Sequence, residues 1–120
     1  MSMEEVMAIG GIRISDEVIA TIASLAASEI EGVSKMSGTI TGNLGEILGK
    51  KNFSKGIKVV LEEDTVEIEV FLSVVYGSII HDVARKVQEN IKKTIESMTD
   101  LKVISVNVHV QGITQDESEA

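Results

Sequence analysis

The sequence predicts an α+β domain, a two-layer sandwich with two helices on one face of a small mixed β-sheet. Apolar and polar residues alternate from 66 to 70, and apolar residues keep every second position to 74, as in a half-buried strand. From 80 to 98, apolar residues instead recur at every third or fourth position, the spacing of an amphipathic helix lying on a sheet. The predicted elements follow the order strand, helix, strand, strand, helix, strand, which is typical of this fold class.

The pattern of residues in the central segment of the chain predicts a strand, a reversal of the chain and a long helix. Tyr76-Gly77 marks the reversal, because glycine tolerates the backbone angles of a tight turn. Ser78 is predicted to be the N-cap of the helix, since its hydroxyl can accept a hydrogen bond from a free backbone N–H. The predicted buried face of this helix is formed by Ile80, Val83, Ala84, Val87, Ile91, Thr94, Ile95 and Met98.

The N-terminal part predicts a short strand, a helix and a second short strand. Residues 9–14 are predicted to form the first strand, and Ser15 is a suitable N-cap for the helix that follows. Gly32 is predicted to end that helix in a left-handed conformation, just before a strand at residues 33–36. The predicted buried side of the helix consists of Val18, Ile22, Leu25, Ala26 and Ile30.

The rest of the chain predicts a hairpin partner strand and the last strand of the sheet. Residues 57–62 form the strand before the Glu63-Asp64 turn, and residues 101–110 alternate again to predict the final strand. We expect one domain, 1–120, with an ordered core at about 9–113. The predicted flexible parts are the N-terminus (1–8), the acidic tail (114–120) and a glycine-rich loop (37–56).

Composition and charge exclude several classes of function. The chain is 43% hydrophobic and 25% charged, which is typical of a globular protein. A net charge of −8 and an aromatic content of 2% argue against nucleic-acid binding, which needs basic and stacking side chains. There are no cysteines for disulfides or thiolate metal sites. No apolar run is long enough to cross a membrane, and the acidic N-terminus lacks a signal-peptide pattern, so we expect a cytoplasmic protein.

The loop at residues 37–56 is the predicted partner-binding site. It contains five glycines, and a loop of this length within a compact domain is usually functional or mobile. The predicted contact residues are Leu44, Ile47, Leu48, Lys50, Lys51, Phe53 and Lys55. The alternative is a nucleotide or small-ligand binder, or an enzyme, that uses the same loop. Its GEILGKK segment (45–51) resembles a phosphate-binding loop, but Lys51 stands where that loop has Ser or Thr.

The remaining polar groups are predicted to be structural, so we expect no catalytic residue, no cofactor and no metal ion. Ser78, His81 and Asp82 fall within one helical turn, whereas a catalytic triad needs side chains that converge. His109 stands alone on the polar face of its strand, which does not suit a zinc site. The acidic residues around the hairpin lack the spacing of a calcium loop: Glu62, Glu63, Asp64, Glu67 and Glu69.

Three segments resemble the alkaline shock protein family of bacterial envelope-stress proteins. They are IRISDEVIATIASLAASEIEGVSKM (12–36), VFLSVVYGSIIHDVARKVQENI (70–91) and IESMTDLKVISVNVHVQGI (95–113). The most specific pieces are Tyr76-Gly77, Val87-Gln88 and Val106-Asn107-Val108. The chain departs from the family at Asp100, where a glycine before the leucine is more usual, and this affects the turn into the last strand.

The resemblance implies a non-catalytic, cytoplasmic stress-response protein that acts through protein–protein contacts. Members of the family are linked to cell-envelope or alkaline stress, and some self-associate or are held at the membrane by a partner protein. We therefore expect a protein partner, including a membrane-anchored one, and a homo-oligomer. The residues themselves favour a homo-oligomer if either the last strand, rich in valine and isoleucine, or the short first strand lies at a sheet edge. Direct lipid binding is not expected, because anionic headgroups repel a chain of net charge −8.

Overall fold

The computed structural model describes residues 11–36 and 56–115. Within these ranges the predicted α+β class is confirmed. The elements are β1 (Val33–Met36), β2 (Ile57–Leu61), β3 (Thr65–Val75), β4 (Lys102–Thr114), α1 (Asp16–Ser28) and α2 (Ile80–Met98). The segment 1–8 and all of the loop 37–56 except Gly56 lie outside the described residues, so their predicted flexibility stays a prediction.

The sheet is mixed, as predicted, and β3 is its central strand. β2 and β1 both pair antiparallel with β3, at residues 66–70 and 72–74 respectively. β4 pairs parallel with β3 along its whole length. Val66 pairs with both Leu61 and Val103, so β2 and β4 occupy opposite edges of β3. β1 and β2 therefore lie end to end on one edge of β3, and β4 takes the other edge.

The core forms where alternate residues of β3 pack beneath the helices. The predicted inward face of β3 is confirmed, since every member is fully buried: Val66, Ile68, Val70, Leu72 and Val74. The central part of the predicted α2 face is confirmed as well, with Val83, Val87, Ile91 and Ile95 buried. Ile80 and Met98, at the two ends of that face, are exposed, so the first and last turns of α2 contribute little to the core.

The prediction for the buried side of α1 is wrong at two positions, Val18 and Leu25. Val18 and Leu25 are 48% and 52% exposed, whereas Ile19 is fully buried. The rest of the packed face is made mainly of alanines at positions 20, 23, 26 and 27. These small side chains let the α1 backbone come close to its neighbours, and Asn90 Nδ2 of α2 donates directly to the Ala26 carbonyl at 2.8 Å. The helix therefore packs through its small alanine side chains, which allow close contact with its neighbours, and the larger side chains of Val18 and Leu25 stay exposed.

Two helix ends differ from the prediction, and one agrees. Ser15 caps α1 as predicted, because its hydroxyl accepts a hydrogen bond from the Val18 N–H at 3.2 Å. The N-cap of α2 is Ile79 rather than Ser78, since the Ser78 N–H closes the turn by donating to the Val75 carbonyl. α1 ends at Ser28, and Gly32 instead takes its positive φ of 104° in the turn that leads into β1.

Two strand predictions are also corrected. Residues 11–14 form no strand, and both edges of β3 are already occupied by β1, β2 and β4. β4 continues to Thr114, four residues beyond the predicted end, because parallel pairing extends as far as β3 offers partners. The Tyr76 N–H donates to the Thr114 carbonyl at 2.6 Å and ties this extension to the turn before α2. Thr114 therefore belongs to the sheet and not to the flexible tail.

Side chains of α2 bind the backbone of β4 on the edge away from β3. The Gln88 Nε2 donates to the Val106 carbonyl, and the Val103 N–H donates to Glu96 Oε2, both at 2.9 Å. Lys92 Nζ lies 3.0 Å from the same Glu96 oxygen. The hydrogen bond from Val103, together with Lys92, holds the pKa of Glu96 below its ordinary value, since both interactions favour the carboxylate.

Gly32→Ala should destabilise the fold more than Gly77→Ala. Both glycines have positive φ, so a side chain at either position strains the backbone by about 1–2 kcal/mol. At Gly32 the new Cβ would also lie 2.7 Å from Val83 Cγ2 in the core, whereas Gly77 has open space around it. We expect overpacking at Gly32 to lower the free energy of unfolding by about a further 1–3 kcal/mol. Urea unfolding of the two variants measures this difference, and equal losses would contradict the packing of Gly32 against Val83.

Glu96→Gln should flatten the dependence of stability on pH in the acid range. A carboxyl group whose pKa is lowered by folding stabilises the fold above its unfolded pKa. That contribution is lost as the pH falls through the folded pKa, so wild type and variant should converge in acid and differ at neutral pH. Melting curves over a pH series test this, with Glu89→Gln as the control on the same helix. A Glu96→Gln variant with an unchanged pH profile would contradict the lowered pKa of Glu96 in the folded protein.

Candidate interaction surface

The predicted partner-binding residues all lie outside the described residues. This applies to Leu44, Ile47, Leu48, Lys50, Lys51, Phe53 and Lys55, and to the whole GEILGKK segment (45–51). The partner-binding loop and its nucleotide-binding alternative both stay predictions. A candidate surface therefore has to be found among residues 11–36 and 56–115.

No hydrogen bond or ion pair joins Ser78, His81 and Asp82 to one another, all three of which lie within the described ranges. The Asp82 carboxylate lies 3.8 Å from Arg85, and His81 is exposed. Ser78 is partly buried beside Gly32, with its Oγ 3.3 Å from the position that a Cβ would take there. Ser78 and Asp82 thus make separate local contacts at the start of α2.

The face of the sheet opposite the helices carries a polar cluster around His109. The rings of Phe71 and His109 stack with centroids 4.5 Å apart, and Lys58 Nζ lies 5.6 Å from the centre of the Phe71 ring. His109 Nε2 is 3.5 Å from Glu69 Oε1. Within the described ranges, no three potential metal ligands come together. His109 is thus packed against two residues of β3, a contact that the parallel register of β3 and β4 determines and that the sequence alone does not reveal.

The outer edge of β4 is the described surface best suited to pairing with another chain. β3 occupies one edge of β4, and no second strand of the described part lies along the other. The contacts from Glu96 and Gln88 show that Val103 and Val106 direct backbone groups to this outer edge. Because backbone direction alternates along a strand, Val108 and Val110 also point their N–H and C=O groups outward.

Two bulges divide this outer edge into shorter parts. The register with β3 shifts by one residue at Ile104 and again at Gln111, so each is an extra residue in β4. Between the bulges, residues 105–110 run in regular register. Lys102, at the start of β4, is its only lysine or arginine, and the strand contains no proline. The regular stretch therefore lacks the charged and proline residues that commonly protect a sheet edge.

The regular stretch is also self-complementary. If two copies pair antiparallel around Val108, Val106 of one copy faces Val110 of the other, and Asn107 faces His109. Val106 and Val110 pair with the buried Ile68 and Leu72 of β3 and lie on the helix-covered face. Asn107 and His109 lie on the opposite face, beside Glu69 and Phe71. Apolar residues thus meet apolar residues across this register, and polar residues meet polar residues.

The sequence matches the model of the alkaline shock protein 23 family over residues 4–115, and that family is described as having a cell envelope-related function. The uncharacterized protein YqhY of Bacillus subtilis is 43% identical over 90% of this chain and 80% of its own length. The uncharacterized protein YloU of the same organism is 41% identical over 94% of this chain and 96% of its own length.

A more distant relative carries a functional name. The stress response regulator gls24 homolog of Streptococcus pyogenes is 26% identical over 92% of this chain and 63% of its own length. No solved structure matches the chain significantly. Neither helix of the described ranges is both long and apolar enough to cross a membrane. The family model spans nearly the whole sequence, and the chain therefore belongs to the alkaline shock protein 23 family, a family of cell envelope-related and stress-related proteins.

Proposed function

We propose that this protein is a non-catalytic cytoplasmic stress protein that acts through protein–protein contacts and assembles with copies of itself through the outer edge of β4. The observation that carries the proposal is the self-complementary stretch at residues 105–110, whose outer edge has no strand partner in the described part of the chain. The family's cell envelope-related function and the stress-related name of one relative support the cellular context.

The geometry of β4 supports an association that is weak and concentration-dependent. Cross-strand pairs each contribute roughly 0.2–1 kcal/mol, and the regular stretch offers only a few of them. The bulges at Ile104 and Gln111 limit the length of strand that can pair. Gln88 already donates to the Val106 carbonyl, so a second copy must share or displace that contact. We infer that assembly requires a high local concentration, which binding to a common partner would provide.

A role at the envelope would then depend on a membrane-anchored protein partner. The net charge of −8 disfavours contact with anionic lipid headgroups. Helix α2 exposes a mixed polar face that includes Arg85, Lys86, Glu89 and Lys92, without exposed tryptophan or phenylalanine side chains to enter a bilayer surface. These features favour a protein contact as the route to the membrane.

Two double variants at the same positions should affect self-association in opposite ways. In the proposed register, residue 107 of one copy faces residue 109 of the other. Asn107→Lys with His109→Lys places like charges opposite each other twice in the interface, whereas Asn107→Glu with His109→Lys places opposite charges there. We expect the dissociation constants of the two variants to differ by about tenfold, because two pairs each change by roughly 1 kcal/mol or less. Sedimentation velocity over a concentration series at low salt measures both constants.

Both variants lose the stacking of His109 on Phe71, so each serves as the structural control for the other. Circular dichroism should show the same fold in both variants, and the variant with Asn107→Glu should have the lower melting midpoint, because residue 107 lies beside Glu69. Equal weakening of association by the two variants would rule out the proposed register. A wild-type protein that remains monomeric over the whole concentration range would rule out assembly through β4.

A further inference from the structure

A groove of about 700 Å³ opens at the end of the molecule where α2 ends and the β2–β3 hairpin turns. Ile14, Leu61 and Leu101 line it and pack against the edge of the core. Ile12 and Met98 also line it, and they are 89% and 63% exposed. This volume lies within the range that accommodates a drug-sized molecule or a short peptide segment. The groove thus exposes two large apolar side chains, Ile12 and Met98, beside three that are partly buried.

The same groove is strongly acidic. Four carboxylates line it, from Glu62, Glu63, Asp64 and Asp100, against a single guanidinium from Arg13. The C-terminal end of α2 also lies here, and the last turn of that helix contains no basic residue. The free carbonyl groups of a helix C-terminus carry partial negative charge, which adds to the potential of the carboxylates. Any ligand that covers the apolar side chains must therefore bring positive charge.

We propose that this groove docks a basic amphipathic segment of a partner protein, with leucine-like side chains on Ile12, Leu101 and Met98 and with lysine or arginine beside the carboxylates. A small polyamine would satisfy the charge but would leave Ile12 and Met98 in water. The described helices of a second copy are a poor match, because α1 contains no basic residue and the apolar face of α2 is buried in its own core. Segments of the proposed kind are common on the cytoplasmic flanks of membrane-spanning helices, where lysine and arginine are in excess.

The inference extends the proposed function, because it rests on the proposal that the protein acts through partners and names the chemistry of one. It uses a different surface from the assembly edge, since the regular stretch of β4 begins four residues after Leu101. A variant of the groove should therefore leave self-association unchanged.

The test is a titration with defined labelled peptides of roughly 14 residues, long enough to form a helix on binding. One peptide has leucines on one helical face and lysines on the other, the second replaces lysine with glutamate, and the third replaces leucine with serine. Fluorescence anisotropy should show binding of the leucine–lysine peptide alone, weakened by added salt. If the lysine–serine peptide binds equally well, the groove recognises positive charge without any contribution from apolar side chains. That result would overturn the proposal.

Two pairs of variants locate the binding site. Glu63→Lys with Asp64→Lys should weaken binding of the leucine–lysine peptide by at least about tenfold through charge repulsion. The control is Glu31→Lys with Glu89→Lys, which changes the net charge equally at two exposed positions, one near the start of α2 and one at its middle. Met98→Ser should weaken binding several-fold, and its control is Ile79→Ser, another exposed apolar side chain.

Unchanged affinity in the Glu63→Lys, Asp64→Lys variant would overturn the groove as the docking site. Sedimentation of the same variant separates this outcome from failure of the proposed function. If self-association is intact while peptide binding is absent in wild type, the groove inference fails and the assembly proposal stands. If peptide binding is specific while wild type stays monomeric, assembly through β4 fails and the groove inference stands.

Discussion

Burial of one face of β3 beneath α2 is the interaction on which the rest of the structure depends. Five alternate residues of β3 are fully buried, and four residues of α2 at helical spacing close over the sheet. All nine side chains are valine, isoleucine or leucine, so these branched aliphatic groups form the centre of the core among residues 11–36 and 56–115. Such a core depends on close complementary packing, which explains why α1 presents its alanine face and why Gly32 must leave space for Val83.

The strand pairing on the two edges of β3 determines which surfaces of the described part are available for binding. β1 and β2 share one edge, and β4 takes the whole of the other, so β4 is an edge strand of 13 residues within the described ranges. Side chains of α2 cover the N-terminal part of that edge through Gln88 and Glu96. The bulges at Ile104 and Gln111 interrupt the outer edge, so that residues 105–110 remain as a short, regular and self-complementary stretch. The same layout brings the end of α2 next to the hairpin turn, where the acidic groove forms.

The sequence predicts the parts of the fold that follow from local periodicity. The alternation in β3 and the helical spacing of α2 identify both elements and most of their buried residues. The packed face of α1 could not be predicted, because alanine gives a weak hydrophobic signal and its packing depends on how closely a neighbour approaches. The length of β4, its bulges and the contact between His109 and Phe71 depend on a parallel register with β3. The sequence left open which strand lies at a sheet edge, and the register that makes residues 105–110 self-complementary could not be predicted from it.

Amide hydrogen exchange at two protein concentrations tests the assembly edge most directly. The N–H groups of Asn107 and His109 point toward β3 and should be protected at any concentration. Those of Val108 and Val110 point outward and should exchange rapidly in dilute protein, then become protected as the concentration rises. Protection of Val108 and Val110 that stays absent at high concentration, or is already complete in the dilute monomer, would contradict the account.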